Sequence, residues 1–240
     1  MRPSRLIGIC STMSDPTPVS PTLPFSCLQA SKPFLVSRHV VGTYVEGHEE
    51  LFRGVNRLRK PASKDHPGIV GKEEPDLFGD GSLVERNQFR TGFMRYLWHP
   101  NAKPSISDIE IAALTGFLLR MSLTCSALWH QRPISSPAIE TCWLISQAGG
   151  DYSVIHTHSP ALISGVFYLA TPPGINAKTF PDGILSVLDG SDVVAIPPIA
   201  GLFLVWPGKL PHMVYPFRGR GRRVLLSWNL QRKADNLRKS

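Results

Sequence analysis

Two histidines stand two residues apart at the head of an apolar run, in "DYSVIHTHSPALISGVFYLATPP" over residues 151–173. The run reads as a buried strand, and on a strand residues i and i+2 project to one face. His156 and His158 then aim together. Imidazole binds iron, zinc, copper and nickel, and two on one strand make a chelating pair that has little ordering entropy left to lose. A third ligand must come from elsewhere. His212, in "GLFLVWPGKLPHMVYPFRGRGRRVLLSWN", is the candidate. A strand over 202–206 runs into a Pro/Gly turn, and an antiparallel return would bring His212 back opposite the His156 strand. A His-x-His pair on a strand also arises by coincidence. Histidines 39, 48, 66, 99 and 130 are read as surface or satisfied core residues.

The elements that must hold these side chains change character along the chain. After Pro137 the pattern has period two, with short apolar runs. "ETCWLISQA", "SGVFYLATP", "GILSVLD", "DVVAIPP", "GLFLVWP" and "RRVLLSWNL" are candidate strands separated by Gly, Pro or Asp. Many short strands broken in this way predict a sandwich or barrel. Before Pro137, "FLVSRHVVGTYV" reads as a strand, and "EELFRGVNRLRK" has helical spacing at Leu51, Phe52, Val55 and Leu58. "SDIEIAALTGFLLRMSLTCSALWH" opens on a capping box, Ser107 with Glu110. It carries Ile111, Leu114, Phe117, Leu118, Met121 and Leu128 as a core stripe. The expected class is α+β, with N-terminal helices supporting a C-terminal antiparallel barrel or jelly roll. The expected division is a Pro/Ser-rich arm over 1–33, a mixed, helix-rich supporting part over 34–136, the β core over 137–230, and a basic tail over 231–240. Residues 61–91 are loop-rich.

Composition bounds the rest. The chain has 240 residues, 42% hydrophobic and 18% charged, which is enough to build a core. Its net charge is +8. Much of the excess gathers after Arg218, in a tail rather than a basic face, which argues against nucleic acid as a partner. Cys10, Cys27, Cys125 and Cys142 form no CxxC pair, so neither a zinc knuckle nor a redox dithiol is indicated. The expected setting is reducing and cytoplasmic. No apolar run reaches the roughly 18 residues of a membrane span. The start, "RPSRLIGICSTMS", is too short and broken for a signal peptide. Met13 offers an alternative start that would leave residues 1–12 untranslated.

The segment from about 143 to 229 resembles the Fe(II)- and 2-oxoglutarate-dependent dioxygenases, and more narrowly one branch of oxygenases in that superfamily. The resemblance rests on "HTHSPALISGVFYL", "GILSVLDG", "PPIAGLFLVWP" and "HMVYPFRGRGRRVLLSWN", in that order and at matching spacings. It implies a double-stranded β-helix (jelly-roll) core, Fe(II), 2-oxoglutarate as cosubstrate, and O2. It also implies hydroxylation of a small molecule or peptide with release of succinate and CO2. His156 and His212 are then metal ligands. Arg223 grips the far carboxylate of 2-oxoglutarate, a task for a planar fork. Arg222 points to the other face. Tyr168 and Asn229 are further cosubstrate contacts, and Trp143, Phe167 and Trp206 line the pocket. Ser164 and Gly165 begin the strand that faces the site.

One position departs from the superfamily pattern. Where that pattern has a carboxylate, this chain has His158. Either His158 is the third ligand, or an acid from elsewhere supplies it, with Asp189 the best placed. Two other readings compete. A cupin-type metalloprotein would share the barrel and the His-x-His pair but has no need of Arg223. A catalytically inactive relative would have lost its metal.

Overall fold

The computed structural model describes residues 27–58, 89–90, 93–98, 107–129, 133–173, 175 and 182–233. The arm up to residue 26 (with Cys10), most of the loop-rich stretch 61–91, His66, His99, His130 and the tail beyond 233 lie outside the described residues.

In chain order the elements are β1 (Gln29–Ala30), β2 (Phe34–Leu35), β3 (Val41–Glu46), α1 (His48–Leu58), β4 (Phe89–Arg90), β5 (Phe93–Trp98) and α2 (Asp108–Ser126). There follow β6 (Pro137–Ala148), β7 (Tyr152–His156), β8 (Ile163–Ala170), β9 (Leu185–Asp189), β10 (Asp192–Ile196), β11 (Leu202–Pro207), β12 (His212–Val214) and β13 (Arg222–Arg232). The large sheet runs β1-β3-β11-β8-β13-β6-β5, with β2 also on β3; the small sheet runs β10-β9-β12-β7-β4. The neighbours pair antiparallel. From β6 onward the chain alternates between the sheets: large, small, large, then the hairpin β9–β10 in the small sheet, then large, small, large.

Two apolar layers result. The outer one lies between the large sheet and the helices. The Ser107–Glu110 capping box forms with both of its bonds and starts α2. Its buried face presents Ile111, Leu114, Phe117, Leu118 and Cys125. Phe117 meets Phe167 and Phe203 of the sheet, each at a ring separation of 6.1 Å. Each such buried side chain contributes about 1.5–3 kcal/mol, so packing rather than helix propensity holds α2 in place. By length and composition α2 could cross a membrane, but most of its large apolar side chains, Ile109 excepted, pack in or against this core. Trp228 of β13 donates from its indole nitrogen to Ser122 Oγ on α2 at 2.9 Å. That indole packs against β8 and explains Gly165, where a Cβ would sit 2.2 Å from the Trp228 ring. Gly165 therefore serves the helix side of the sheet, not the site side.

The inner layer lies between the sheets. Val166, Tyr168, Leu204, Trp206 and Leu225 meet Leu185 and Val187 there. β8 is covered on both faces, and so reads as a run without alternation from Val166 to Leu169.

The region before β6 differs from the expectation of helical support alone. Its described residues give two helices but also five strands, which extend both sheets. The single strand expected over 34–45 is broken in two. Val36 N–H turns back to the Val40 carbonyl at 2.8 Å, freeing Ser37 and His39 to reach Asp189. Leu128, expected in the stripe of α2, lies past the end of the helix and is 48% exposed.

Candidate metal centre

β7 and β12 are short, and the six clear strand patterns of the sequence do not include them. They carry the histidines. His156 ends β7, His212 begins β12, and the two are paired directly across the ladder. His212 also stands opposite Val187 of β9. Cross-strand partners share a face, and Val187 belongs to the inner layer. Both imidazoles therefore point between the sheets.

His158 is not on the strand. It lies two residues past β7, in the connection to β8. Its backbone N–H donates to the Gly208 carbonyl at 2.8 Å, and its own carbonyl accepts from Ala161 at 2.7 Å. This turn, not the strand pleat, brings its ring back beside His156. Gly208 allows the approach, since a Cβ there would lie 2.4 Å from the Ala161 carbonyl oxygen.

One ring nitrogen from each of His156, His158 and His212 lies within 4.8 Å of the others. Ring centroids are 5.0 Å apart for 156–158, 4.3 Å for 156–212 and 5.0 Å for 158–212. His156 Nδ1 is 2.7 Å from the Val154 carbonyl and His212 Nδ1 is 3.1 Å from the Leu210 carbonyl. A carbonyl only accepts, so Nδ1 carries the proton and Nε2 keeps its lone pair. Burial lowers the pKa of all three. That of His158 falls to about 3, with His156 adding a like-charge effect. His212 is held well below the usual range by burial and then by both neighbours. For His156 the bond to Val154 opposes burial without cancelling it. At neutral pH the cluster is three uncharged nitrogen donors, the form that binds a metal.

Arg223 is fully buried on the inner face of β13. Its Nε and one terminal nitrogen donate to Gln147 Oε1 at 3.0 and 2.7 Å, and the other terminal nitrogen donates to the Gly183 carbonyl. Among the described residues, no carboxylate accepts a hydrogen bond from it. Burial depresses its pKa, while Tyr168 and Asp151 act electrostatically the other way. Burial raises the Tyr168 phenol, and Arg223 opposes this. Arg222 faces the opposite side, on Ser146.

Antiparallel register orders the inner face of the large sheet into rows. Thr141, Asn229, Ser164 and Trp206 form the first, Trp143, Ser227 and Val166 the second. Ile145, Leu225 and Tyr168 form the third, and Gln147 with Arg223 the fourth. The cluster abuts the first two: the Trp206 ring is 5.0 Å from His212 and the Trp143 ring 5.8 Å from His158. Tyr168 lies between them and Arg223.

Three expected site residues stand elsewhere. Phe167 faces the helices, against Phe117 and Phe203, because strand alternation gives the inner face to Val166 and Tyr168. Asp189 is not in the cluster; Ser37 Oγ and the backbone and ring of His39 occupy its oxygens at 2.6, 2.8 and 2.6 Å. Asn229 lies six residues from Arg223 on the same strand, roughly 20 Å away, too far for one small dicarboxylate to touch both. Gln147 and Thr141 were missed. The same alternation that places Trp143 inward also places them there.

Residues 141–229 match the family model described as "Putative 2OG-Fe(II) oxygenase", a span that begins within β6 and ends within β13. No curated protein matches the chain. Among solved structures, a Pseudomonas putida prolyl-4-hydroxylase is similar at 20% identity over 58% of this chain and 71% of its own, with a TM-score of 0.42. A 2OG-Fe(II) oxygenase family oxidoreductase from Burkholderia pseudomallei is similar at 14% identity over 58% and 68%, with a TM-score of 0.45. A prolyl hydroxylase from Trichoplax adhaerens, in complex with a hypoxia inducible factor peptide fragment, is similar at 18% identity over 61% and 72%, with a TM-score of 0.41.

Proposed function

We propose that residues 137–230 form the jelly-roll core of an Fe(II)- and 2-oxoglutarate-dependent oxygenase, with 34–136 as its supporting part. The observation that carries the reading is Arg223. It is a buried cation whose hydrogen bonds all go to neutral oxygens, on the same interior as a three-nitrogen cluster. A buried charge hydrogen-bonded only to neutral oxygens is costly even with Asp151 acting on it, and it calls for an anion. The cluster calls for one as well, because three neutral imidazoles leave a divalent ion's charge uncompensated. A dicarboxylate that touches both meets both needs, and a cupin-type centre gives Arg223 nothing to do.

His156, His158 and His212 would hold the iron, the first and last oriented by their bonds to Val154 and Leu210. Arg223 would receive the far carboxylate, held in plane by Gln147, with the Tyr168 hydroxyl as a second donor. Trp143 and Trp206 would exclude water around the cluster. When bound, iron with 2-oxoglutarate and O2 supplies the oxidation: the cosubstrate becomes succinate and CO2, and an oxygen atom enters a substrate C–H bond. Anaerobic titration of Fe(II) and 2-oxoglutarate into the protein tests this. A visible charge-transfer band is expected. A protein that binds Fe(II) without the band, or that binds none, is not such an oxygenase.

A further inference from the structure

The first row of the inner face is polar although it lies in a buried layer. Trp206 is 1% exposed, Ser164 is 2% exposed, and Asn229 and Thr141 are half-buried. Ser164 Oγ donates to Asn229 Oδ1 at 2.8 Å, which engages the Asn229 acceptor and leaves its amide N–H groups available to another partner. At the two ends of the row, Trp206 Nε1 and Thr141 Oγ1 are buried atoms with no hydrogen-bond partner. Native interiors seldom leave such groups unpaired. Here two are unpaired on one row, spanning four adjacent strands, and one belongs to the indole packed 5.0 Å from His212.

The row presents donors above all: an indole N–H, an amide NH2 and a hydroxyl. It contains no charged side chain, and the next row offers Trp143 and Val166 as apolar surface. Arg223, the one buried cation of this face, stands at the opposite end, beyond the cluster. A ligand lying on the row should therefore offer oxygen acceptors without net charge.

We infer that Thr141, Asn229, Ser164 and Trp206 form the substrate floor of the site, and that the substrate is an uncharged molecule presenting amide carbonyls beside the C–H bond to be oxidised. This rests on the oxygenase reading for its chemistry, though the binding it describes needs no metal. Trp206 and Asn229 would each donate to a carbonyl, and Ser164 would set the Asn229 amide so that its N–H groups face the ligand. These are positioning and specificity roles, separate from the cosubstrate end at Arg223 and Tyr168.

The test uses the metal-free full chain, 15N-labelled, with the Trp206 indole signal assigned among the five tryptophans by Trp206→Phe. The probes are N-acetylalanine N-methylamide, acetate and methylammonium. The neutral amide should move the Trp206 indole proton downfield and saturate, while the two ions leave it in place. Thr141→Val should weaken the amide's apparent Kd on the order of fivefold, the effect of one hydrogen bond. Asn229→Asp, which replaces donors by a charged acceptor at equal size, should abolish the shift. The inference is overturned if acetate moves the signal as much as the amide does, if no probe moves it, or if both variants bind the amide as the parent does. An iron–cosubstrate band without an indole shift sinks this inference alone, and an indole shift without the band sinks the oxygenase reading alone.

Discussion

β9 serves two histidine clusters that meet the cost of burying imidazole in opposite ways. At its end, Asp189 gathers Ser37 and both the backbone and the ring of His39, whose side chain is still 34% exposed. Two residues earlier, Val187 faces His212, in a group of three rings with no acid among them. Burial tends to raise the Asp189 pKa, but the bonds from Ser37 and His39 outweigh it and hold the carboxylate low. In the interior nothing outweighs burial, and the imidazoles are driven neutral. A histidine beside an acid at the rim acts as a staple; histidines packed ring to ring away from any acid keep lone pairs to offer. The rim cluster also engages Asp189, the acid that the sequence offers as an alternative metal ligand, and the group of side chains gathered in the interior is His156, His158 and His212.

The widest separation between the clusters should appear in metal binding. His156→Ala and His212→Ala should each weaken Fe(II) binding by more than ~100-fold, the upper end of what outer partners cost, and remove the charge-transfer band. His39→Ala should leave both intact, as measured by anaerobic titration. His158→Ala should resemble the first two; an unchanged band there would return the third position to an acid. Next in size is Arg223→Gln. Losing a bidentate charged pair costs roughly 3 kcal/mol, about 100-fold in 2-oxoglutarate affinity, with Fe(II) affinity unchanged. Arg223→Lys should recover little of it, because a point charge cannot replace the fork.

How much of this was legible depends on how plainly an apolar run is bounded. β6, β8, β9, β10, β11 and β13 stand out between Gly, Pro or Asp breaks, and α2 announces itself by its capping box. β7 and β12 have five and three residues and lack a pattern of their own, yet they hold two of the three rings. His158 stands beside His156, but a turn on Gly208 rather than the strand pleat brings it there. Phe167 departs from expectation because β8 is buried on both faces, and its run from Val166 to Leu169 has no alternation to mark which residues look inward. Gln147, by contrast, is readable: like Thr141 it is a polar residue on the inward phase of β6, and it holds Arg223. The pairing of His39 with Asp189 spans 150 residues, a separation local pattern does not reach.

Acid should separate the clusters again, by pH window. The three interior histidines have folded pKa values below the ordinary 6.5. As pH falls through 6.5 the unfolded chain binds protons that the fold excludes, so unfolding free energy falls with pH. The slope is at most about 1.4 kcal/mol per pH unit for each histidine. Chemical denaturation of the metal-free protein between pH 7.5 and 5 should show this slope. A flat profile would mean that the rings are already protonated or already wet.

The smallest effect belongs to the staple. Asp189 has its pKa lowered from 3.8 in the fold, so its contribution is present above that value and is lost only as pH falls through the lower folded value. At pH 7.5, Asp189→Asn should therefore lower the stability by about 1–2 kcal/mol. The amide keeps one acceptor for Ser37 or His39 and loses the charge, which is why the cost stays small. Fe(II) affinity in this variant should equal that of the parent. A fall of tenfold or more would mean that the carboxylate reaches the metal after all. The contrast between a stapling histidine and three ligating ones would then have to be redrawn around a mixed nitrogen and oxygen centre.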